Sequence, residues 1–336
     1  MKKKPMSIIL TGFLILILLL VFLYVGMWLS SKEKYPVEYG ISFNHQHAES
    51  LGLDWKEVYV EILKDLQPKY IRIAAMWSEV EVEQGKYDFT NVDWMMGLAE
   101  AEGTKVILVV GQKAPRWPEC HVPYWTYHLD EEKYEKSLFN YAEAVVERYK
   151  DNEALEIWQV ENEPFIKFRF GECEGYREDL VKAEINFVKK LDSEHKILIT
   201  DSGELSTWWK ASRAGDLFGT TLYRIVRTPS GKIWTYDWLP PAFYRWKAKI
   251  LGKDMNEFFV AELQAEPWFD GDGPDKTTLV EQAKTMDSLR LKDHFDYTER
   301  IGAPRAYLWG VEWWYWIKTE RGNSIYWQMV KDKISN

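Results

Sequence analysis

The sequence predicts a (β/α)8 barrel preceded by one transmembrane helix. Short apolar runs alternate eight times with longer amphipathic patterns, and an uncharged apolar stretch near the N-terminus is long enough to cross a bilayer. Runs that are apolar throughout are typical of parallel strands buried on both faces. A doubly wound open sheet is the alternative, and it is disfavoured because no glycine-rich phosphate turn follows the first run.

The apolar runs predict the barrel strands, and apolar residues at three- and four-residue spacing predict the helices between them. The predicted strands are Val37–Phe43, Tyr70–Met76, Lys105–Gly111, Leu155–Val160, Lys196–Asp201, Leu217–Tyr223, Phe258–Leu263 and Ala306–Gly310. The predicted helices are Trp55–Leu66, Val92–Glu102, Glu131–Tyr149, Arg177–Leu191, Leu205–Arg213, Pro241–Leu251, Thr277–Tyr297 and Ile325–Lys333.

The N-terminal region predicts a membrane anchor. Three lysines at positions 2–4 precede an apolar run from Ser7 to Leu29, so the N-terminus should remain cytoplasmic. Residues 1–34 are therefore predicted to form a cytoplasmic stub, a transmembrane signal-anchor and a short linker, and residues 35–336 an extracytoplasmic catalytic domain. A cleaved signal peptide is the open alternative, although the run is longer than a signal core and no Ala-x-Ala site follows it.

Composition narrows the class of partner. The formal net charge of −9 argues against nucleic acid, which binds basic surfaces. The chain has 18 tryptophans, and exposed indole faces stack on the apolar faces of sugar rings. Core filling is the alternative reason for many of these tryptophans. We therefore expect a carbohydrate substrate, and we expect the N-terminal helix to contact the membrane.

Two carboxylates follow buried strands. Glu163 ends the fourth predicted strand in Asn162-Glu163-Pro164, and Glu262 ends the seventh. Because the active sites of these barrels form at the carboxyl ends of strands, both side chains should reach one site. A pair of carboxylates is the requirement of glycoside hydrolysis. Ion pairing of each Glu with an Arg is the structural alternative.

Other chemistries find less support in the sequence. His45 and His47 flank Gln46 after the first strand, but no further His or Cys at suitable spacing completes a metal site. The chain also has no Gly-x-Ser-x-Gly motif for serine hydrolysis. We therefore expect neither a metal nor a cofactor.

Around these carboxylates the chain resembles glycoside hydrolase clan A, the retaining (β/α)8-barrel glycosidases, which include family 5. The run Gln159–Glu163 is similar to family 35 β-galactosidases, and a segment from Trp77 to Asp93 is similar to family 42. Val82 departs from the family 42 pattern, which has Pro there. The resemblance indicates the clan without fixing the family.

The resemblance implies roles for five residues. Glu163 would be the acid/base and Glu262 the nucleophile. Arg72 would hold the nucleophile ionised, which also fits the cost of burying an unpaired Arg. Tyr223 would donate a hydrogen bond to the nucleophile, and Asn162 would bind the sugar hydroxyl next to the reacting carbon.

Further candidates lie on the predicted loops. By the same resemblance, Trp309 would be the aromatic residue on which the reacting sugar stacks. Trp117 and His121 are expected either to line a sugar subsite or to pack within their loop. Glu161 is expected to be a buried hydrogen-bond partner. Glu266 is expected at the rim or in contact with substrate.

The two cysteines predict a disulfide. Cys120 follows the third strand and Cys173 follows the fourth, so their loops should be neighbours on the catalytic face. An extracytoplasmic domain is in an oxidising setting where such a bond persists. Two unpaired loop thiols are the alternative.

The sequence as a whole predicts a retaining glycoside hydrolase that cleaves β-glycosidic bonds of an oligo- or polysaccharide through a covalent glycosyl-enzyme. A transglycosylase would use the same two carboxylates with an acceptor sugar in place of water. The third alternative is a non-catalytic carbohydrate-binding barrel at the cell surface.

Overall fold

A computed structural model, which describes residues 4–166, 177–228, 230–269 and 273–335, confirms the predicted (β/α)8 barrel. Each of the eight predicted strands is present, with ends that differ from the prediction by at most two residues. The barrel strands are β1 (Glu38–Ser42), β2 (Tyr70–Ala74), β3 (Lys105–Val110), β4 (Leu155–Val160), β5 (Lys196–Asp201), β6 (Leu217–Leu222), β9 (Phe258–Gln264) and β10 (Arg305–Trp309). The strands β7 (Ile225–Arg227) and β8 (Ile233–Thr235) form a separate hairpin.

The barrel closes through parallel pairs throughout. The order around the ring is β1, β10, β9, β6, β5, β4, β3, β2, and pairing of Ile41 with Ile71 joins the two ends. In this ring β4 and β9 are separated by β5 and β6. The ends of β4 and β9 therefore face each other across the mouth.

Helices cover the outside of the barrel. They are α1 (Lys4–Ser30), α2 (His45–Ser50), α3 (Trp55–Glu61), α4 (Trp77–Val80), α5 (Thr90–Ala101), α6 (Glu131–Tyr149), α7 (Glu178–Leu191), α8 (Ala211–Ala214), α9 (Ala242–Ile250), α10 (Leu279–Ala283), α11 (Ser288–Glu299), α12 (Val311–Glu320) and α13 (Ile325–Ile334). A π-helical turn at Ile62–Leu66 continues α3, and 3-10 turns occupy Tyr124–His128 and Met255–Glu257.

Side-chain caps define where several helices begin. The carboxylate of Asp130 accepts a hydrogen bond from the backbone N–H of Lys133, 2.9 Å away, at the start of α6. Asp287 does the same for Arg290 at the start of α11. Each cap satisfies a donor that has no partner within its helix.

Two helix predictions are wrong. The predicted helix Leu205–Arg213 is reduced to α8, because Trp208 has a left-handed φ of 66° and its indole donates to the carbonyl of Ser202. The predicted helix Thr277–Tyr297 is broken into α10 and α11, because Asp287 is extended and caps the second part.

The core has an inner and an outer part. Inside the lower barrel, apolar side chains from most of the strands pack together: Tyr70, Ile107, Ile157, Leu198, Leu217, Phe259 and Tyr307. A larger cluster fills the space between strands and helices. The packed barrel floor is rigid, so the polar side chains above it at the carboxyl ends of the strands are held in place.

Candidate active site

A kink in the backbone after β4 positions Glu163. Glu161 and Glu163 have left-handed φ values of 63° and 44°, a conformation that costs non-glycine residues about 1 kcal/mol or more. The backbone N–H of Glu163 donates to the hydroxyl of Thr200 on β5, 2.9 Å away. The neighbouring strand thereby holds the kink, and the Glu163 side chain is directed into the barrel mouth, where it is buried.

Arg72 on β2 forms a buried ion pair with Glu262 on β9. The Nη1 atom of Arg72 lies 2.9 Å from Oε1 of Glu262, and both side chains are almost fully buried. Burial strengthens the attraction between the two charges and makes the loss of either partner costly. The guanidinium therefore stabilises a negative charge on Glu262.

The remaining donors of Arg72 contact β4 and its end. Nε donates to Oε1 of Gln159 at 2.8 Å, and Nη2 donates to Oδ1 of Asn162 at 2.9 Å. The amide oxygen of Asn162 is thus fixed on the arginine, which turns its NH2 group away from the arginine. This orientation leaves the NH2 group available to donate to another group.

Tyr223 follows β6 and contacts the second oxygen of Glu262. Its hydroxyl donates to Oε2 at 2.8 Å, and its ring meets Trp268 edge-on with centroids 5.5 Å apart. Burial, with the negative charge of Glu262, raises the pKa of Tyr223 well above its ordinary value, so the phenol remains a donor. Both carboxylate oxygens of Glu262 are therefore held by named donors.

Glu163 lies in a different environment. Burial, followed by the charges of Glu262 and Glu119, raises the pKa of Glu163 well above its ordinary value. Thr221 on β6 is the strand neighbour of Glu262 on β9. Its hydroxyl donates a long hydrogen bond of 3.3 Å to Glu163. The two carboxylates thus lie in one site with different surroundings, because donors hold both oxygens of Glu262 whereas burial and nearby negative charge raise the pKa of Glu163.

The loop after β3 contributes a third carboxylate. Glu119 lies 3.2 Å from the ammonium of Lys113, and burial raises the pKa of Glu119 to about 7 against the lowering effect of that lysine. The negative charge of Glu119 raises the pKa of Glu163, and the negative charge of Glu262 raises the pKa of Glu119. Glu119 therefore belongs to the electrostatic surroundings of the site.

Arg116, on the same loop, connects several elements above Trp309. Its guanidinium lies 4.4 Å from the centroid of the Trp309 ring and is hydrogen-bonded to Glu266 and Glu312. Trp309 is 8% exposed, and Arg116 covers one face of its ring. That face is not open to a sugar in this conformation.

The same cluster contains the described residues best arranged to hold a metal. Ligand atoms of His47, Glu266 and Glu312 lie within 4.8 Å of one another. However, Arg116 already supplies a positive charge to both carboxylates. Burial and this arginine also lower the pKa of His47 to about 2. The cluster is therefore an arginine-centred ion network.

The other loop candidates lie in contrasting places. Trp117 is 74% exposed, whereas His121 is buried and has a pKa lowered to about 4 by that burial. The backbone of His121 bonds to Gln112 and Ser78, which joins the loops after β3 and β2. Their roles toward a substrate stay predictions.

Glu161 is a buried hydrogen-bond partner. Its two oxygens accept from the backbone N–H groups of Gln112 and Lys113 at 2.8 and 2.7 Å. Burial raises the pKa of Glu161 to about 7, and burial with the charge of Glu161 raises that of Glu184 on α7 well above its ordinary value. The pair thus shares protons between β4 and α7.

The predicted disulfide stays a prediction. Cys120 lies on the loop after β3, and Cys173 lies outside the described residues.

Sequence reasoning did not single out Gln159, Lys113, Arg116 or Glu119. Gln159 is a polar residue within an apolar strand, and that pattern could have identified it as a partner for Arg72. The other three follow the end of β3, where charged residues in such a barrel indicate a site.

Comparisons with known proteins agree with the geometry. A family model described as beta-galactosidase, glycoside hydrolase family 42, matches residues 52–195. No curated protein sequence matches the chain. The matched segment contains β2, β3, β4 and Glu163, and the resemblance to family 42 is confirmed over that part of the chain.

Solved structures share the fold at low identity. A GH5_18 enzyme from Streptomyces cattleya, in complex with GlcNAc, has a TM-score of 0.59, 10% identity and coverage of 82% of this chain and 71% of that one. The β-galactosidase of the psychrophilic Marinomonas ef1 has a TM-score of 0.56, 11% identity and coverage of 81% and 54%. That of Rahnella sp. R3 has a TM-score of 0.55, 13% identity and coverage of 82% and 52%.

The chain therefore spans about half the length of the two β-galactosidases that it resembles. Its eight-stranded parallel barrel is consistent with the clan A glycosidases, as the sequence resemblance indicated. The family model is the match that names a family of glycoside hydrolases, over residues 52–195, and the solved structures show that the fold is shared.

Proposed function

We propose that the protein is a retaining glycosidase that cleaves β-glycosidic bonds through a covalent glycosyl-enzyme. The observation that carries the proposal is the contrast between the two carboxylates. Glu262 is held by Arg72 and Tyr223, whereas burial and neighbouring negative charge raise the pKa of Glu163. A retaining glycosidase needs an ionised nucleophile and a protonated acid at the same pH, and a carboxylate paired with an arginine beside a carboxyl group with a raised pKa suits those two roles.

The reaction proceeds in two displacements. An oxygen of Glu262 attacks the anomeric carbon while Glu163 transfers its proton to the leaving glycosidic oxygen. Glu163, now ionised, then takes a proton from water, whose oxygen attacks the anomeric carbon and releases Glu262. Asn162 donates to the neighbouring sugar hydroxyl, because its oxygen is already bonded to Arg72.

The substrate that we propose is a β-linked oligo- or polysaccharide. The family model and two of the solved structures carry the name β-galactosidase, and a third structure binds GlcNAc. These names support a sugar substrate. A transglycosylase would form the same intermediate, and added acceptor sugars would then enter the products. A binding barrel without turnover is disfavoured by the intact contacts of Arg72, Glu262 and Tyr223.

We further propose that α1 anchors the barrel outside the cytoplasm. Residues Ile9–Ser30 have a mean hydropathy of 2.8 and are long enough to cross a bilayer. The preceding lysines at positions 2–4 favour retention of the N-terminus in the cytoplasm. A signal sequence would have the same appearance, and the N-terminus of the mature protein distinguishes the two.

Chemical rescue tests the roles of the two carboxylates. With the full chain in detergent micelles and an activated aryl β-glycoside, Glu262→Ala should lose turnover and form an α-glycosyl azide when azide is added. Glu163→Ala should form a β-glycosyl azide instead, because azide then replaces water in the second step.

The matched control is Glu83→Ala, since this Glu is exposed and should leave turnover unchanged. Products of inverted configuration from the unaltered enzyme would contradict the retaining mechanism. Absence of turnover across a panel of aryl β-glycosides and β-glycans would favour the binding barrel.

A further inference from the structure

The last two turns of α1 pack against the wall of the barrel. The hydroxyl of Tyr24 donates to the carbonyl of Trp238 at 2.7 Å. Gly26 faces the ring of Trp246 on α9 so closely that an added Cβ atom would lie 3.2 Å from it. Trp238 precedes α9 and Trp246 lies within it, so the last turns of α1 contact both the start of α9 and the segment before it.

The junction between α1 and the barrel is also fixed. Arg245 on α9 donates to the carbonyl of Ser30 at 2.8 Å, and the hydroxyl of Ser31 accepts from the backbone N–H of Ala242 at 2.9 Å. Arg300 donates to the carbonyl of Ser31 at 3.3 Å. Ser31 is itself buried. The chain therefore passes from α1 into the barrel without a free linker.

These contacts determine where the bilayer ends on α1. The helix is exposed from Ile9 to Val25, although the hydroxyl of Tyr24 reaches the barrel, and Gly26 is the first residue of the described part that is partly buried. A hydrocarbon core of about 30 Å needs about 20 helical residues. Counting back from Val25, that length reaches Met6, two residues after Lys4. The outer boundary of the hydrocarbon core therefore lies at the level where the barrel begins.

Three tryptophans lie at or near this end of α1. Trp28 on α1 and Trp238 before α9 are 54% and 57% exposed, and Trp246 on α9 is partly buried. We name these three residues the tryptophan collar. The ammonium of Lys32 lies 4.6 Å from the Trp28 ring. Tryptophan with a nearby cation is typical of the headgroup region of a membrane.

We propose that the tryptophan collar inserts into the headgroup region of the outer leaflet, so that the wall of the barrel rests directly on the lipid surface. The proposal rests on the proposed membrane span of α1. The segment that contains the hairpin β7–β8 connects Tyr223, which donates to Glu262, with Trp238 of the tryptophan collar. The catalytic mouth is thereby held near the membrane, and the glycan that it cuts must be accessible at the lipid surface.

Hydroxyl-radical footprinting of the full chain in lipid nanodiscs tests this contact. Trp238 should be oxidised several-fold more slowly than Trp117, after each rate is divided by the exposed fraction of 57% or 74%. Trp117 is a suitable reference because it lies on the loop after β3, three strands away from β6 around the ring. Equal normalised rates in a chain that co-elutes with nanodiscs would overturn the contact and leave the anchor intact.

A chain that does not co-elute with nanodiscs would instead overturn the anchor. A pair of variants provides a second test. Gly26→Leu must displace Trp246, and it should raise the oxidation rate of Trp238 toward that of Trp117. Gly12→Leu is the matched control, because nothing lies within 4 Å of an added Cβ atom there. An unchanged Trp238 rate in Gly26→Leu would contradict the proposed packing.

Discussion

Arg72 connects three parts of the site through side chains that are far apart in the sequence. Its donors bind Gln159, Asn162 and Glu262 in a buried setting where a missing partner costs about 3–5 kcal/mol. The sequence could predict that Arg72 needs a partner, because a charge flanked by apolar residues on a strand must be paired. It could not predict the network of Arg116, whose partners come from two distant segments that only the folded barrel brings together.

The hydroxyl of Tyr223 can be tested alone. Tyr223→Phe removes one hydrogen bond to the Glu262 carboxylate and keeps the ring against Trp268. A hydrogen bond to a charged group contributes about 1.5–3 kcal/mol, so kcat/KM should fall by about 10- to 100-fold. Tyr124→Phe, on an exposed tyrosine, is the control, and a similar small effect in both variants would contradict the role of Tyr223.

Glu119 should set part of the pH dependence. Because its negative charge helps to raise the pKa of Glu163, Glu119→Gln should lower that pKa. The alkaline limb of the kcat/KM profile reports loss of the protonated acid, so it should move to lower pH. Glu119→Asp keeps the charge and should leave the limb near its original position. A limb that moves to higher pH in Glu119→Gln would refute this assignment.

At the level of elements, the strands were predictable and some connections were not. Runs such as Leu155–Val160 are apolar because both faces are buried, and this pattern survives in the sequence alone. The hairpin β7–β8 was missed because its strands have three residues each and are only partly buried. The predicted helix Thr277–Tyr297 is interrupted before α11 because Asp287 caps α11. The spacing of apolar residues does not reveal such a cap.

The pair formed by Glu161 and Glu184 should make stability depend on pH. Both carboxyl groups have a raised pKa in the folded state, so the folded protein binds protons more tightly than the unfolded chain. Their contribution is fully present below the unfolded pKa near 4.5 and is lost as the pH rises toward the folded values.

Replacement of one partner by an amide tests this pair. Glu184→Gln removes one titrating group, so its melting temperature relative to the unaltered protein should rise between pH 5 and pH 8. Glu178→Gln, on an exposed carboxylate at the start of α7, is the control. A constant difference across this range would contradict the proton sharing.

The predicted disulfide would join the loops after β3 and β4. A non-reduced peptic digest analysed by mass spectrometry should contain a peptide linking Cys120 to Cys173. Closing a loop of about 50 residues stabilises the fold by roughly 4 kcal/mol in the chain-entropy model, so Cys120→Ser should lower the melting temperature. Recovery of both cysteines as free thiols from a sample alkylated before digestion would contradict the bond.

For the whole molecule, the proposed anchor predicts a defined topology. Protease added to intact cells should degrade the barrel, while an epitope fused before Met1 should remain protected in the cytoplasm. A mature protein whose N-terminus lies near residue 31 would show that the apolar segment is cleaved. Protection of the barrel in intact cells that becomes degradation after lysis would contradict the outward orientation.

If α1 is the proposed membrane anchor, its direct attachment to α9 limits how far the barrel can move from the lipid surface. A flexible tether of about 30 residues would let a domain range roughly 30 Å from its anchor. Here the hydrogen bonds at Ser30 and Ser31 remove that freedom. An anchored barrel of this kind explores its surroundings by lateral diffusion within a thin layer of constant height. With the proposed activity, a long glycan would be cut only along the portion that enters this layer, and the positions of the cut ends would then report the height of the barrel above the lipid.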